Sequence, residues 1–186
     1  MTALAAANLG YRCHIYTEET DSPAAQVSAT TTVASYKDHE ALTQFAKAVD
    51  LITYEVENIP LSSITLLNNI RSIRPSPSIL EISQHRGKEK EFAVQHGVNV
   101  APYKIIEKIS DLESAIKTIG TPSVLKTCRF GYDGKGQIVI NEPEEIYSAW
   151  NQLSSDDLVL EQFVAFEKEI SIVIARDTNY KTKAYQ

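Results

Sequence analysis

Apolar positions along this chain recur with two periods, near 3.6 and near 2, and the switches between them mark its elements. Residues 1–10, M-T-A-L-A-A-A-N-L-G, predict a short amphipathic helix stopped by Gly10. A β-prone run follows at 11–17, and Thr30, Thr31, Thr32 and Val33 form a β-branched run. Within 38–49, Leu42, Phe45, Ala46 and Val49 fall on one helical face; 51–54 predicts a strand, 60–69 a helix with Pro60 near its first turn, and 72–74 a brief strand. Strands alternating with helices predict a parallel sheet covered on both faces, which binds ligands beyond the carboxyl ends of its strands. A helix ahead of the first strand is an unusual opening for such a unit, and a piece ahead of it is expected.

The rhythm changes after P-S-P-S at 75–78, a candidate boundary. Residues 79–96 predict one helix ending near Gly97, with a charged run that includes Gln84, Arg86, Lys88, Glu89 and Lys90; such runs are usually solvated faces. Next come a strand at 103–106, a helix at 110–119 with Ser110 as cap and Glu113 in the capping-box position, a strand at 123–127 and a helix at 142–153. The apolar positions of 158–164 and 168–176 suit buried strands, and 180–186 is a further strand candidate.

Composition narrows the function classes. With 186 residues, 43% hydrophobic and 23% charged, the chain is an ordinary globular one, long enough for one domain or two small ones. Its net charge of -6 argues against a general nucleic-acid binder. Cys13 and Cys128 fit no metal or redox spacing, so reduced thiols in a cytosolic protein are expected. His14, His39, His85 and His96 are scattered and read as structural or surface groups, and no metal ligand is assigned. No apolar run approaches the roughly 20 residues that cross a bilayer, and the alanine-rich start, with no basic region before it, makes a poor signal peptide.

Two stretches carry candidate chemistry. Residues 125–138, L-K-T-C-R-F-G-Y-D-G-K-G-Q-I, hold three of the seven glycines, Gly131, Gly134 and Gly136, among Lys126, Arg129 and Lys135. Apolar runs on either side predict a β-hairpin with Asp133-Gly134 as its turn. Glycine-borne amides can cradle a phosphate and the cations can neutralise it; equally, the stretch reads as a solvated hairpin tip whose lysines keep an edge soluble. The second stretch, Y-E-V-E-N-I-P at 54–60, crowds two acids and an amide at a strand-to-helix turn, which suits either helix capping or ligand contact.

Together, Y-E-V-E-N-I-P, Gln84 and Arg86 before a Glu-Lys pair, L-K-T-C-R-F-G-Y-D-G-K-G-Q, and E-Q-F-V followed by K-E-I-S-I resemble the N5-carboxyaminoimidazole ribonucleotide synthases, through nearly all of the chain and in the same order. These are ATP-grasp enzymes, the ATPase subunit of phosphoribosylaminoimidazole carboxylase in purine biosynthesis. The resemblance implies an α/β fold: a Rossmann-like pre-ATP-grasp domain lacking its first strand at 1–76, a connecting helical segment at 77–100, an α+β ATP-grasp lid at 101–164, and the first strands of an incomplete C-terminal ATP-grasp domain at 165–186.

It further implies a cytoplasmic carbon-nitrogen ligase that uses ATP, Mg²⁺ and bicarbonate to carboxylate 5-aminoimidazole ribonucleotide, with small-molecule partners and a homodimeric assembly. By position, Arg86 and Lys126 contact ATP phosphates and the turn Gly131, Tyr132, Asp133, Gly134, Lys135, Gly136 and Gln137 closes over the γ-phosphate. Glu161, Gln162, Phe163 and Val164 form the adenine hinge, Glu169 holds the ribose, and Asp133 and Lys135 approach the aminoimidazole substrate and carboxyphosphate as catalytic candidates. The acidic Mg²⁺ ligands are expected beyond the C-terminal end, so little activity is expected of the chain alone. Cys128 stands where the family often has a basic residue, and Gly87 and Lys88 interrupt a usually more regular helix. Another ATP-grasp ligase, or a non-catalytic nucleotide-binding remnant, are the competing readings.

Overall fold

The structure, a computed structural model, describes residues 1–131, 135–153 and 155–185. Its first part runs α1 (Thr2–Asn8), β1 (His14–Thr17), β2 (Thr30–Val33), α2 (His39–Lys47), β3 (Ile52–Thr53), α3 (Leu61–Ile70) and β4 (Ile73–Arg74). Asp38 starts α2 by accepting hydrogen bonds from the Glu40 and Ala41 amides at 3.1 and 2.9 Å. That helix then buries Leu42, Phe45 and Ala46 against Ile52, Ile64, Leu67, Ile73 and Leu80. Strands β1 and β2 pair in parallel, as do β3 and β4. The parallel sense is the expected one, but the strands form two separate pairs and not one sheet. Coverage is also thinner than expected, because both ends of β2 are exposed.

Glu55 settles part of the ambiguity at 54–60. Its carboxylate accepts a hydrogen bond from the Thr2 amide at 3.1 Å, so it serves the start of α1, while α3 follows Pro60 with no side-chain cap. The bonds from Thr2 hold the Glu55 carboxyl below the usual carboxylate range.

The single helix expected over 79–96 is two, α4 (Pro77–Ser83) and α5 (Arg86–Gln95). The break is at His85, whose backbone is extended and whose ring Nδ1 accepts from the Gly87 and Lys88 amides at 3.1 and 3.3 Å. An imidazole here does what Asp or Ser usually does at a helix start. Gly97, at φ +74°, closes the helix as expected.

The second part comprises β5 (Tyr103–Ile106), α6 (Ile109–Ile119), β6 (Ser123–Thr127), β7 (Gln137–Ile140), α7 (Ile146–Leu153) and β8 (Leu158–Gln162). The strands form one antiparallel sheet in the order β5-β8-β6-β7. Helix α6 is capped by Asp111, not by Ser110 and Glu113: its carboxylate accepts from the Glu107 and Lys108 amides at 3.3 and 3.2 Å. Leu112, Ala115 and Ile116 of α6, with Ile146 and Ala149 of α7, bury one sheet face through Ile106, Leu125, Ile140, Leu158 and Leu160.

Beyond β8 the chain forms an antiparallel hairpin of β9 (Val173–Arg176) and β10 (Thr182–Tyr185). The apolar positions of 168–176 suit a buried strand, yet Ile170, Ile172 and Ile174 are exposed, as is every described residue from 162 onward. Strand β9 has β10 as its only strand partner, and no residue beyond Leu160 joins either core among the described residues. Among the described residues no helix is long and apolar enough to cross a membrane.

Candidate functional site

Alternation along β8 sends Leu158 and Leu160 to the helical core, which leaves Val159 and Glu161 on the opposite face. The same rule sends Leu125 inward on β6 and Lys126 outward. In the sheet register Lys126 lies opposite Val159 and Glu161 opposite Val124, a diagonal that long side chains can bridge. Lys126 Nζ is 3.0 Å from Glu161 Oε2. A second cation, Lys90 Nζ from α5, lies 3.3 Å from the same oxygen and 5.5 Å from the centre of the Tyr103 ring. All three side chains are largely covered: Glu161 is 11% exposed, Lys90 16% and Lys126 23%.

Helix α5 supplies the cover. A Cβ at Gly87 would stand 2.6 Å from Ile105 Cδ1, so its missing side chain lets the helix lie close on the sheet. Gly87 therefore does not interrupt the helix, as read from the sequence, but seats it. At its first residue, the Arg86 amide donates to the Cys128 carbonyl at 3.0 Å, and its guanidinium donates to the carbonyls of Thr127 and, at 3.0 Å, Gly131. A Cβ at Gly131 would come within 2.3 Å of that guanidinium, so Arg86 can reach the hairpin only past a glycine. Arg86 thus has carbonyl partners but no carboxylate within ion-pair distance among the described residues. At Glu89, desolvation pushes the carboxyl pKa up against the pull of Arg86 and Lys90, with Glu57 adding to the rise.

A bracket beneath this face joins His85, Cys128 and Asp157, whose ligand-type atoms all lie within 4.8 Å of one another. Sequence spacing concealed the grouping. The network places the imidazole proton on Nε2, because Nδ1 receives two amide N–H groups; Nε2 then donates to Asp157 Oδ1 at 3.0 Å. A metal at Nε2 would need the lone pair that this tautomer lacks, so the donor set suits a hydrogen-bonded clamp. The Cys128 thiol is pushed up to about 12, first by burial and then by its contact with Asp157. Backbone bonds reinforce the clamp, since the Cys128 amide donates to the Asp157 carbonyl at 2.9 Å.

The expected site residues divide into three groups. Arg86 and Gly131 meet, as do Lys126 and Glu161. Gly136, at φ +68°, lies against Thr127, whose amide donates to its carbonyl at 2.8 Å; Gln137 pairs with Lys126 in the hairpin register, and Lys135 is exposed. Gln162, the last residue of β8, pairs with Ser123 and is exposed, and Phe163 and Val164 leave the sheet exposed; the Phe163 amide donates to the Pro122 carbonyl at 3.2 Å. Glu169 is exposed, and among the described residues no hydrogen bond or ion pair joins it to the others. Tyr132, Asp133 and Gly134 lie outside the described residues. Two residues were missed as site members. One is Lys90, although Arg86 and Lys90 are spaced i,i+4 and must share a face. The other is Gln84, whose amide donates to the Glu57 carbonyl and, at 2.6 Å, to that of Ile59, tying the 54–60 turn to the end of α4.

Residues 91–186 match the family model described as "ATP-grasp domain", and residues 1–84 match the "Ribonucleotide synthetase preATP-grasp domain". The chain belongs to the ATP-grasp family. Its ATP-grasp relatives include the N5-carboxyaminoimidazole ribonucleotide synthase of Brucella melitensis, 40% identical over 179 residues, which make up 95% of this chain and 49% of that protein. The bifunctional purine synthesis protein purC/E of Dictyostelium discoideum is 39% identical over 180 residues, 95% of this chain and 18% of that protein. The crystal structure of N5-carboxyaminoimidazole synthetase from Staphylococcus aureus complexed with ADP superimposes with a TM-score of 0.95 at 31% identity, covering 100% of this chain and 50% of that one. The chain thus spans about half the length of these synthases. The resemblance read from the motifs and the α/β ATP-grasp architecture are both borne out.

Proposed function

We propose that this ATP-grasp chain holds the phosphates of ATP in the carboxylation of 5-aminoimidazole ribonucleotide to its N5-carboxy product, with ADP and phosphate released. One observation carries the reading: three cations, Arg86, Lys90 and Lys126, converge where Glu161 is the one carboxylate in ion-pair contact with any of them among the described residues. Glu89 is a second acid within reach of Arg86 and Lys90, so three cations face two carboxylates, and covered cations in excess of their counter-charges favour an anion from outside. The relatives' names supply its class, since the Brucella protein is a carboxyaminoimidazole ribonucleotide synthase and the Staphylococcus enzyme was crystallised with ADP.

In this reading a bicarbonate oxygen attacks the γ-phosphorus, the bond to ADP breaks, and the amine then takes the carbon of carboxyphosphate and releases phosphate. Arg86, Lys126 and the turn from Gly131 to Gln137 neutralise the phosphates, which is most of what a protein contributes to phosphoryl transfer. The exposed strand end at Glu161, Gln162, Phe163 and Val164 offers backbone groups to an adenine edge, and Glu169 serves the ribose hydroxyls. Asp133 and Lys135 approach the aminoimidazole. Residues 1–76 serve as the pre-ATP-grasp domain, 77–100 as connector, 101–164 as lid and 165–186 as the start of the C-terminal ATP-grasp domain. The protein works in the cytoplasm as a homodimer.

Mg²⁺ needs several hard oxygen ligands. Glu161 is committed to two ammonium groups, so the described residues of the site do not fit that ion, and no step is assigned to it.

The test is ADP release by the natural gene product that carries this chain, with each substrate omitted in turn. Release that requires both bicarbonate and 5-aminoimidazole ribonucleotide is expected. Release that proceeds with a different amine or carboxylate, and without 5-aminoimidazole ribonucleotide, would assign the site to another ATP-grasp ligase.

A further inference from the structure

We infer that Lys90 is a positioning residue, a standing counter-ion that keeps Glu161 in place when Lys126 leaves it for a nucleotide phosphate; this rests on the phosphate reading proposed above. Both lysines form ion pairs with the same oxygen, Oε2 of Glu161, but they are held differently. Lys126 lies at the hairpin end of β6, next to the Thr127 carbonyl that receives Arg86, on the strand that leads into the glycine turn. It is also the more exposed of the two, at 23% against 16%. Lys90 projects one helical turn beyond Arg86, on a helix tied down by the Arg86 and His85 contacts, and its ammonium lies over the Tyr103 ring on β5. Tyr103 is directly opposite Glu161 in the sheet register, so the aromatic face and the carboxylate address one cation from adjacent strands.

A single lysine would suffice to neutralise Glu161 at rest. The second matters once a phosphate arrives. If Lys126 turned to it with no other cation present, a carboxylate only 11% exposed would be left without a partner, which is costly. With Lys90 in place the exchange leaves Glu161 paired and still aimed along β8, where the expected adenine hinge begins. Lys90 therefore acts through Glu161, without needing to touch the nucleotide.

A double-mutant cycle read on two ligands tests this. ATP and adenosine are titrated calorimetrically into the full chain and into Lys90→Met, Lys90→Arg, Glu161→Gln and Lys90→Met/Glu161→Gln, with circular dichroism to verify folding. Lys90→Met is expected to weaken ATP about tenfold, the scale of one charge-assisted hydrogen bond, with adenosine nearly unchanged because Lys126 then stays on Glu161. Lys90→Arg is expected to restore most of the loss. In the Glu161→Gln background, where residue 161 carries no charge that needs a counter-ion, removing Lys90 is expected to cost nothing more. Equal losses for ATP and adenosine, or the same loss in both backgrounds, would overturn the role of Lys90. Wild-type chain that binds ATP no more tightly than adenosine would overturn the phosphate reading itself, and the inference with it.

Discussion

Strands β8 and β9 are both rich in β-prone aliphatic residues, L-V-L-E-Q and V-I-A-R, and they end up in opposite environments. The first is central, with β5 and β6 on its flanks, α6 and α7 over Leu158 and Leu160, and α5 over the face that carries Glu161. Among the described residues the second pairs only with β10, and its four residues are exposed. Strand formation is a local property that both segments satisfy; burial depends on what else reaches the strand. The contrast also bears on function. A carboxylate shared by two lysines is strongly held on the covered strand, whereas the same acid on β9 would be screened by water and worth little.

Truncation on the two strands is the sharpest way to break the comparison. Leu160→Ala should cost about 2–5 kcal/mol in urea unfolding, while Ile174→Ala should change stability by less than about 0.5 kcal/mol. Equal effects would mean that β9 is covered in solution. The clamp that seats α5 comes next: His85→Ala removes a helix cap and the bond to Asp157, for an expected loss of about 1–2 kcal/mol. A neutral outcome would show that Arg86 alone holds the helix. The smallest effect belongs to the open surface. Glu55 has its carboxyl pKa lowered by Thr2, so its contribution is complete above the ordinary value of about 4.3 and fades as pH falls through the lowered value. Because the group is mostly exposed, the expected contribution is well under 1 kcal/mol; Glu55→Gln should flatten the acid limb of stability slightly, and a steeper limb would contradict the assignment.

Much of this was legible in the residues. The 3.6 and 2 periods, with β-branched and apolar runs beside turn residues, located the described strands and most helices, because those patterns follow from which side must face a core. The glycine hairpin was legible because Gly131, Gly134 and Gly136 exceed what a turn needs. His85 as a helix cap was not, since imidazole is an uncommon choice there and the charged run reads as continuous helix through it. Lys90 was hidden for a different reason: its spacing from Arg86 was visible, but a lysine on a charged helix looks solvated until the strand beneath it is known. Asp157 and Cys128 could be joined only by the fold, 29 residues apart along the chain. The exposure of β9 lies beyond any local pattern.

The central claim is that the cations around Glu161 receive the phosphates of a nucleotide. Calorimetric titration of ATP into the wild-type chain and into Lys126→Ala tests it most directly. The account predicts a loss of at least about tenfold in affinity for the variant, as expected for one charged hydrogen bond removed from phosphate. Equal binding by both proteins would contradict it and remove Lys126 from the phosphate site.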